Sequence, residues 1–384
     1  MKVLVLSVTA GQGHNSIAAA VMEELEKSGV ETKKIDILQT SKLRKFIAND
    51  LYIYACKHFK QSLTSIFHAT QKRDPSKRTG TPVDSMIKPV KEWVYREIDR
   101  YQPDAVFTTH VYCARLIGDY KKLHPEKKIV TFSVLHDFTV HPYWETTTDL
   151  DYMFTSNEEF HRKLIYKGYR PSQLVETGIP VSERFSQKTD QAQARRALGL
   201  DEHKTTLLVM NGGGGVANNR SLLKKLNEVP ADFQIIFVNG SNAKSKKEID
   251  EIIAEGKCKK PILNLGFCKN VDELMAASDC VLGKVGGVSV CESLNQRLPI
   301  IIVNEPPAQE YDNMRFLLKN KASGYIEKPK KFVEILNYYL ENVDRLKDLQ
   351  PGIEKIRRPN AARDAADFII ERTRSVCEEK AQQK

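Results

Sequence analysis

Residues 279–292 read DCVLGKVGGVSVCE, and this stretch decides the fold. The pattern predicts a buried strand that ends at Leu282, a glycine-rich turn, and a helix that begins near Ser289. A strand, a turn and a helix in this order form the repeating unit of a parallel sheet covered by helices. In such a unit the backbone amides of the turn point toward a ligand beyond the carboxyl end of the strand.

The same alternation extends through both halves of the chain. Strands in the first half are predicted at residues 2–8, 31–37, 104–109 and 129–135, with a helix at 15–27. Strands in the second half are predicted at residues 205–210, 234–238, 262–265, 279–282 and 300–303. The sequence therefore predicts an α/β protein of two doubly wound, Rossmann-like domains with a cleft between them.

A polar stretch from Ser182 to Lys204 separates the two series. We place the N-terminal domain at residues 1–180 and the C-terminal domain at residues 181–358. Residues 359–384 form a further helix and a tail. The helical pattern of this last segment does not say which domain it packs on.

Length and composition fit this picture. The chain has 384 residues, which suits two domains, and it is 41% hydrophobic and 28% charged, as a globular protein is. Its apolar runs are strand-sized and none approaches a membrane span. The chain opens directly into a strand without a signal region, which predicts a cytoplasmic protein. Seven scattered cysteines without a CxxC pair fit neither a disulfide framework nor a zinc site.

The charge indicates an anionic partner. The chain carries 59 Lys and Arg against 49 Asp and Glu, a net charge of +10. Residues 41–80 hold nine basic and two acidic residues and so carry +7 by themselves. Nucleic acid, acidic lipid and phosphorylated substrates are the candidate partners. We expect no nucleic-acid partner, because no base-reading module accompanies the basic stretch.

The first glycine-rich turn reads TAGQGHN at residues 9–15, directly after the first strand. Gly13 allows backbone amides to approach a ligand, and His14 at the helix start could take a proton from a hydroxyl. A plain turn with a capping histidine is an equally good interpretation. The turn is not a dinucleotide fingerprint, because Ser16 breaks the GxGxxG spacing.

Two further turns favour phosphate binding. Residues 211–215 read NGGGG after the first strand of the second domain, which suits a loop around a diphosphate better than a merely flexible loop. Amides of Gly287, Val288 and Ser289 would point at a phosphate, and Glu292 could accept hydrogen bonds from a ribose diol. Glu292 could also close a capping box with Ser289.

Two polar segments follow predicted strands. Gln309 and Glu310 are suited to reading sugar hydroxyls, although alone they are only a polar helix start. Residues 135–144 read LHDFTVHPYW and hold two histidines and one aspartate at a strand end. We expect no metal there, because no fourth ligand is suitably spaced.

Together these segments resemble the family of monogalactosyldiacylglycerol synthases and processive diacylglycerol glucosyltransferases. That family is related to the N-acetylglucosaminyltransferase that makes lipid II. The resemblance covers about residues 1–330 and is specific because many short motifs recur in order. These are GQGH at 11–14, Asp137 with His141 and Trp144, NEE at 157–159, GIPV at 178–181, GGG at 212–214, Gly266 with Phe267, LMAASD at 274–279, Gly286 and Gly287 with Glu292, Leu298 with Pro299, and Gln309, Glu310 and Asn313.

The resemblance implies a GT-B fold, inversion at the anomeric carbon, a UDP-sugar donor and neither metal nor cofactor. It implies that the N-terminal domain meets the acceptor and the membrane, and that the C-terminal domain binds the UDP-sugar. Catalytic candidates would be His14, as base or phosphate contact, and Asp137. The donor contacts would be Gly13, Gly212, Gly213, Gly214, Gly266, Phe267, Gly286, Gly287, Val288, Ser289, Glu292, Gln309 and Glu310, with uracil at Gly266 and Phe267.

The chain departs from the family pattern at three informative positions. His136 stands where the family usually has threonine, Val285 where it has proline, and Ala308 where glycine is common. The departures leave the donor class intact. They leave open the choice among glucose, galactose and N-acetylglucosamine, the exact acceptor and the processivity.

Residues 43–69 combine aromatic and apolar side chains with the basic cluster. Such a segment suits an interfacial anchor on anionic lipid, although it could also be an amphipathic helix pair packed on the first domain. We favour membrane contact and hence a cytoplasmic protein peripherally associated with the membrane. The candidate acceptor and membrane residues are Phe46, Tyr52, Tyr54, Lys57, Lys60, His141 and Trp144.

The sequence-based hypothesis is transfer of a hexose from UDP-glucose or UDP-galactose to diacylglycerol or a glycosyl-diacylglycerol. The rivals are a UDP-N-acetylglucosamine 2-epimerase, a transferase to a prenyl-linked or polar acceptor, and a UDP-sugar sensor without activity. Incubation with UDP-sugar alone separates the epimerase, and UDP release with lipid separates the sensor.

Overall fold

The computed structural model describes residues 1–9, 12–38, 74, 80–140, 142–210, 219–303, 305–306 and 308–382. The chain folds into two compact units. The first unit combines Met1–Glu183 with Asn360–Lys384, and the second unit is Arg184–Pro359. In the described ranges each unit contains one six-stranded sheet whose neighbouring strands are all parallel.

The first unit orders its sheet β2-β1-β3-β4-β5-β6. Its strands are β1 (Lys2–Ser7), β2 (Glu31–Asp36), β3 (Ala105–Thr108), β4 (Val130–Val134), β5 (Tyr152–Thr155) and β6 (Leu174–Glu176). Its helices before the second unit are α1 (Gly13–Lys27), α2 (Pro82–Ile87), α3 (Lys91–Tyr101), α4 (Val111–Leu123) and α5 (His161–Tyr166). The strand order reverses between β1 and β3, so this unit is doubly wound.

The second unit orders its sheet β12-β11-β10-β7-β8-β9. Its strands are β7 (Thr206–Met210), β8 (Gln234–Val238), β9 (Ile262–Leu265), β10 (Cys280–Gly283), β11 (Ile300–Val303) and β12 (Ser323–Ile326). Its helices are α6 (Gln191–Ala197), α7 (Asn219–Glu228), α8 (Ala243–Ala254), α9 (Val271–Ala276), α10 (Gly287–Asn295), α11 (Gln309–Lys319), α12 (Phe332–Glu341) and α13 (Gln350–Ile356). The order reverses between β7 and β10, which is the Rossmann arrangement.

Strands β1, β3, β4, β7 and β8 form because short runs of apolar and β-branched residues suit a sheet buried on both faces. The predicted doubly wound α/β class is confirmed by the two sheets. Sequence reasoning missed β5, β6 and β12. Of these, β6 has only three residues and β12 contains Gly324, and both features weaken the strand pattern.

The last helix, α14 (Ala361–Gln382), returns to the first unit and packs against α1. The Phe368 ring lies edge-on to three rings of the first sheet, with centroids 6.4 Å from Phe132, 5.0 Å from Tyr152 and 5.9 Å from Phe154. The sequence pattern alone does not assign this helix to either domain. Among the described residues, no helix is long and apolar enough to cross a bilayer.

Candidate active site

Three histidines meet at the carboxyl edge of the first sheet. His14 lies in the first turn of α1 after β1, His110 precedes α4 after β3, and His136 follows β4. The His14 ring centroid is 4.7 Å from that of His110 and 4.3 Å from that of His136, both edge to face. They come together because β1, β3 and β4 are neighbours in the sheet. The reversal between β1 and β3 is where such sheets bind ligands.

His14 is held as a neutral ring. Its Nδ1 lies 2.7 Å from the carbonyl oxygen of Thr109, and because a carbonyl only accepts, Nδ1 carries the proton and Nε2 keeps a lone pair. The side chain is buried, with 6% of its surface exposed. Burial first, and then the neighbouring His136, lower the pKa of His14 to about 3, against the opposing effects of the Thr109 carbonyl and the Asp137 charge. The ring therefore holds an added proton weakly.

His136 has a carboxylate partner. Its Nε2 lies 3.1 Å from Oδ2 of Asp137, which is itself 8% exposed. The Nδ1 atom of His136 is buried and has no hydrogen-bond partner among the described residues. His110 is fixed differently, because its Nδ1 accepts a hydrogen bond of 3.1 Å from the backbone N–H of Tyr112 and so caps α4.

The histidine cluster is not arranged as a metal site. In the described part of the chain, no group of three or more His, Cys, Asp and Glu side chains has a geometry that could hold a metal ion. The His14 ring contacts the other two rings edge to face, which is the geometry of packed aromatic rings.

The predicted acceptor and membrane residues are mostly outside the described residues, namely Phe46, Tyr52, Tyr54, Lys57, Lys60 and His141. Trp144 is described, and its side chain is 1% exposed within the short 3-10 helix Pro142–Thr147. The expectation that Trp144 contacts the membrane is therefore corrected. Its indole fills the core, where apolar area is removed from water.

The carboxyl edge of the second sheet carries the predicted donor site. Helix α10 begins at Gly287 with Gly286 as its N-cap, two residues before the predicted start at Ser289. Gly287, Val288 and Ser289 thus form the first helical turn, and the positive end of the helix dipole at such a turn favours an anion. Because Ser289 lies inside the helix, the capping box suggested for Ser289 and Glu292 is absent.

Gly283 allows β10 and β7 to converge at this edge. A Cβ atom at Gly283 would lie 2.0 Å from the carbonyl oxygen of Met210, a distance that real side chains do not adopt. The backbone N–H of Lys284 donates to the same oxygen at 3.3 Å. Only a glycine allows the chain to turn away from β10 so close to β7. The start of α10 therefore lies where the strand order of the sheet reverses.

Glu292 lies in the second turn of α10. Its side chain is partly exposed, but its carboxyl group is closely surrounded by protein, and no hydrogen bond or ion pair joins it to any described residue. Burial raises the pKa of Glu292 to about 8, with Arg184 opposing the shift and Asp272 adding to it. A crowded carboxyl group that makes no hydrogen bond to a described residue and stays partly open to solvent is suited to accept hydrogen bonds from ligand hydroxyls.

Gln309 and Glu310 begin helix α11, which follows β11 at the same edge. Oε1 of Glu310 lies 3.5 Å from Nζ of Lys284, so an ammonium group sits between the turn after β10 and the start of α11. Nδ2 of Asn313 donates to the carbonyl oxygen of Val285 at 2.8 Å and fastens the two segments together. The structure therefore brings Gln309 and Glu310 beside the glycine-rich turn that follows β10.

Gly266 and Phe267 follow β9 on the same edge, and the Phe267 side chain is 57% exposed. An exposed aromatic ring at a ligand-binding edge can stack on a planar base. Gly13 is the first residue of α1 in the first unit. Gly212, Gly213 and Gly214 lie outside the described residues.

Ala308, at the N-cap of α11, has φ 52° and ψ −129°, a conformation that suits glycine. We expect Ala308→Gly to raise the unfolding free energy of the second unit by about 1 kcal/mol, because the strain on the Cβ is removed. Ala192→Gly in helix α6 is the matched control and should lower stability by about 0.5–1 kcal/mol. Urea unfolding of both variants measures this, and a loss of stability in Ala308→Gly would contradict the strain.

Sequence reasoning did not select His110 or Lys284, and it considered His136 only as a departure from the family pattern and as one of two histidines at a strand end where no metal is expected. Each of the three lies at the carboxyl end of a strand that the sequence did predict. A systematic search of such positions would have found them, because carboxyl ends of parallel strands share one edge.

Both parts of the chain match models of known protein families. Residues 14–181 match the family model of monogalactosyldiacylglycerol (MGDG) synthase, and residues 206–367 match that of the glycosyltransferase family 28 C-terminal domain. The processive diacylglycerol beta-glucosyltransferase of Bacillus licheniformis is 23% identical over 380 residues, which span 98% of this chain and 97% of that protein.

Two solved structures share the fold. MurG of Acinetobacter baumannii has a TM-score of 0.64 at 14% identity, covering 96% of this chain and 99% of that one. The UDP-GlcNAc 2-epimerase of Neisseria meningitidis, bound to UDP-GlcNAc, has a TM-score of 0.60 at 14% identity, covering 97% and 99%. These likenesses establish the GT-B fold only.

The fold and the family models define the chain as a glycosyltransferase, more closely a hexosyltransferase of the GT-B fold. Its N-terminal part matches the MGDG synthase model and its C-terminal part matches the glycosyltransferase family 28 C-terminal model, and the resemblance seen in the sequence is confirmed.

Proposed function

We propose that this chain transfers a hexose from UDP-glucose or UDP-galactose to diacylglycerol or a glycosyl-diacylglycerol at the membrane surface, with inversion at the anomeric carbon. The proposal rests on the carboxyl edge of the second sheet. There the first turn of α10 lies beside the Glu292 carboxyl, which has no partner among the described residues. Diphosphate and ribose are the groups that these two features fit. The name of the Bacillus licheniformis relative supports the lipid acceptor.

In the proposed donor complex, the diphosphate lies against the amides of Gly287, Val288 and Ser289. The ammonium of Lys284 adds positive charge beside it, while Gln309 and Glu310 read the hexose. Helix amides and one cation are pre-oriented toward the charge that develops on the departing UDP, which is how such sites lower a barrier. Phe267 supplies a ring for the uracil. No cofactor is part of the proposal, since the UDP-sugar is a substrate.

In the first unit, the histidine cluster with Asp137 is the proposed acceptor-activating group. Inversion needs a single displacement, in which the acceptor hydroxyl loses its proton and its oxygen attacks the anomeric carbon opposite UDP. His14 is the base candidate named from the sequence. Its neutral state satisfies one requirement of a base, which is a free lone pair at neutral pH.

The function is tested with the full chain, vesicles containing diacylglycerol, and UDP-glucose, UDP-galactose or UDP-N-acetylglucosamine. We expect UDP release and a β-linked glycolipid with one of the first two donors. A new UDP-sugar formed without lipid would instead indicate an epimerase, and UDP binding without release under any condition would indicate a sensor. Either outcome would overturn the proposed transfer.

The proposed contact with anionic lipid gives a separate prediction. Lys57→Glu with Lys60→Glu should weaken binding to anionic vesicles by more than about 2 kcal/mol, or some thirtyfold, because each basic residue near such a surface contributes about 1 kcal/mol. Added salt should weaken wild-type binding in the same direction. The matched control is Lys244→Glu with Lys247→Glu on exposed positions of α8. Equal binding to neutral vesicles at high salt would contradict this electrostatic contact.

A further inference from the structure

A network of five polar side chains joins the carboxyl ends of β1, β2 and β3 to the start of α1. The hydroxyl of Thr109 donates to Oγ of Ser7 at 3.2 Å, and the Ser7 hydroxyl donates to Oδ1 of Asn15 at 3.1 Å. Nδ2 of Asn15 donates to Oγ1 of Thr9 at 3.0 Å, and the Thr9 hydroxyl donates to Oδ2 of Asp36. The donors of this polar network therefore all point along one path toward a carboxylate, which only accepts.

Asn15 is the member of the polar network that lies on α1. Its side chain accepts from Ser7 with the amide oxygen and donates to Thr9 with the amide nitrogen. Leucine has nearly the same shape but can do neither, and aspartate can only accept. The Ser7 side chain is completely buried, so a partner lost there is not replaced by bulk water.

The other end of the polar network is the residue that fixes His14. Thr109 is completely buried, and its backbone N–H donates to the carbonyl oxygen of Leu6 at 3.1 Å. Its own carbonyl oxygen accepts from Nδ1 of His14 at 2.7 Å. A neutral histidine in water carries its proton mainly on Nε2, and a hydrogen bond to one ring nitrogen can reverse that preference. The position of the Thr109 carbonyl therefore decides which nitrogen of His14 keeps the lone pair.

We propose that Asn15, acting through Ser7 and Thr109, is a positioning residue that holds the proton of His14 on Nδ1 and the lone pair on Nε2. This inference rests on the proposed function, in which His14 is the base candidate. In the transfer, the proton of the acceptor hydroxyl goes to Nε2, and the acceptor oxygen bonds to the anomeric carbon. The bond from that carbon to the β-phosphate oxygen breaks, and its electron pair leaves on UDP.

The kinetic test compares variants that differ by hydrogen-bonding groups and little in shape. Asn15→Leu and Thr109→Val break the polar network, whereas Thr109→Ser keeps the hydroxyl that donates to Ser7. We expect the first two variants to lower kcat by about 10- to 100-fold, as a displaced base does, with the KM for the UDP-sugar unchanged. Thr109→Ser should stay close to wild type. The matched control is Thr32→Val, because the Thr32 hydroxyl donates to Glu26 at the surface.

The tautomer is measured separately, without substrate, from the ¹⁵N chemical shifts of histidine-labelled protein at neutral pH. Comparison with His14→Asn assigns the His14 signals. Wild type should show a protonated Nδ1 and an unprotonated Nε2, and Asn15→Leu should move both shifts toward those of a mixed ring. Circular dichroism and calorimetric UDP binding show that each variant is folded.

Two results would overturn the positioning role and leave the transferase function intact. One is a set of His14 nitrogen shifts that is the same in Asn15→Leu as in wild type. The other is an equal loss of kcat in Thr109→Ser and Thr109→Val, because the hydroxyl would then not matter. Absence of transfer by wild type would overturn the proposed function, and the nitrogen shifts would still decide whether Asn15 fixes the His14 tautomer.

Discussion

Glu292→Gln is expected to weaken binding of the UDP-sugar by about 10- to 100-fold, because hydrogen bonds to a charged acceptor contribute about 1.5–3 kcal/mol. The Glu292 carboxyl has no partner among the described residues and lies in α10 beside the amides that fit a diphosphate. The amide of glutamine has the same size but accepts the ribose hydroxyls more weakly. Calorimetric titration with UDP at pH 8.5 measures the loss. Glu251→Gln on exposed α8 is the control.

The same substitution should stabilise the unliganded protein. The pKa of Glu292 is about 8 in the folded protein against an ordinary value of 4.5, so the folded state binds this proton more tightly. Stability is then lost as the pH rises from about 4.5 to 8. Glutamine removes that loss and should add about 1–3 kcal/mol at pH 8.5, with little change near pH 4. A variant that is less stable than wild type at pH 8.5 would contradict the buried, uncompensated carboxyl.

Arg195→Ala is expected to destabilise the second unit by about 3 kcal/mol, because it leaves the Asp279 carboxylate, whose side chain is only 16% exposed, without its cation. The guanidinium of Arg195 donates to Oδ2 of Asp279 at 2.7 Å and to the carbonyl oxygens of Ala277 at 2.9 Å and Glu202 at 3.0 Å. Asp279 Oδ2 also accepts the backbone N–H of Thr206 at 2.7 Å. One side chain thus fastens α6 to the starts of β10 and β7.

The control is the adjacent Arg196→Ala, because the Arg196 side chain is 59% exposed and pairs with Glu202. An exposed pair contributes about 0–1 kcal/mol, so this variant should unfold near the wild-type midpoint. The double variant Arg195→Met with Asp279→Asn should recover part of the loss, since it removes the stranded charge. Denaturant unfolding, followed by far-ultraviolet circular dichroism, measures the stability of all three variants. Equal midpoints for both arginine variants would show that the buried pair does not hold the sheet edge.

Glu292 and Arg195 lie at opposite edges of the second sheet. At the amino edge, Arg195 and Asp279 pair with each other and with backbone groups, as expected of groups that stabilise the fold. At the carboxyl edge, Glu292 and the strained backbone of Ala308 each cost stability. Proteins keep such costs where a ligand compensates them, which is an independent reason to assign ligand binding to the carboxyl edge.

Features set by neighbouring residues could be derived from the sequence. Alternating apolar runs and helical periods located α1 and most strands, and the glycine turns marked the carboxyl edges that bear the candidate donor residues. These predictions succeed because strand, turn and helix preferences act over a few residues. The family resemblance then followed from the order of short motifs, and the family models confirm it.

Only the tertiary structure decided features that depend on distant residues. It placed α14 on the first unit, buried Trp144, and brought His14, His110 and His136 into contact across about 120 residues of sequence. It also left the Glu292 carboxyl without a hydrogen-bond or ion-pair partner among the described residues. Burial and electrostatic pairing depend on which strands become neighbours, and strand order is fixed by packing of the whole sheet rather than by any local pattern.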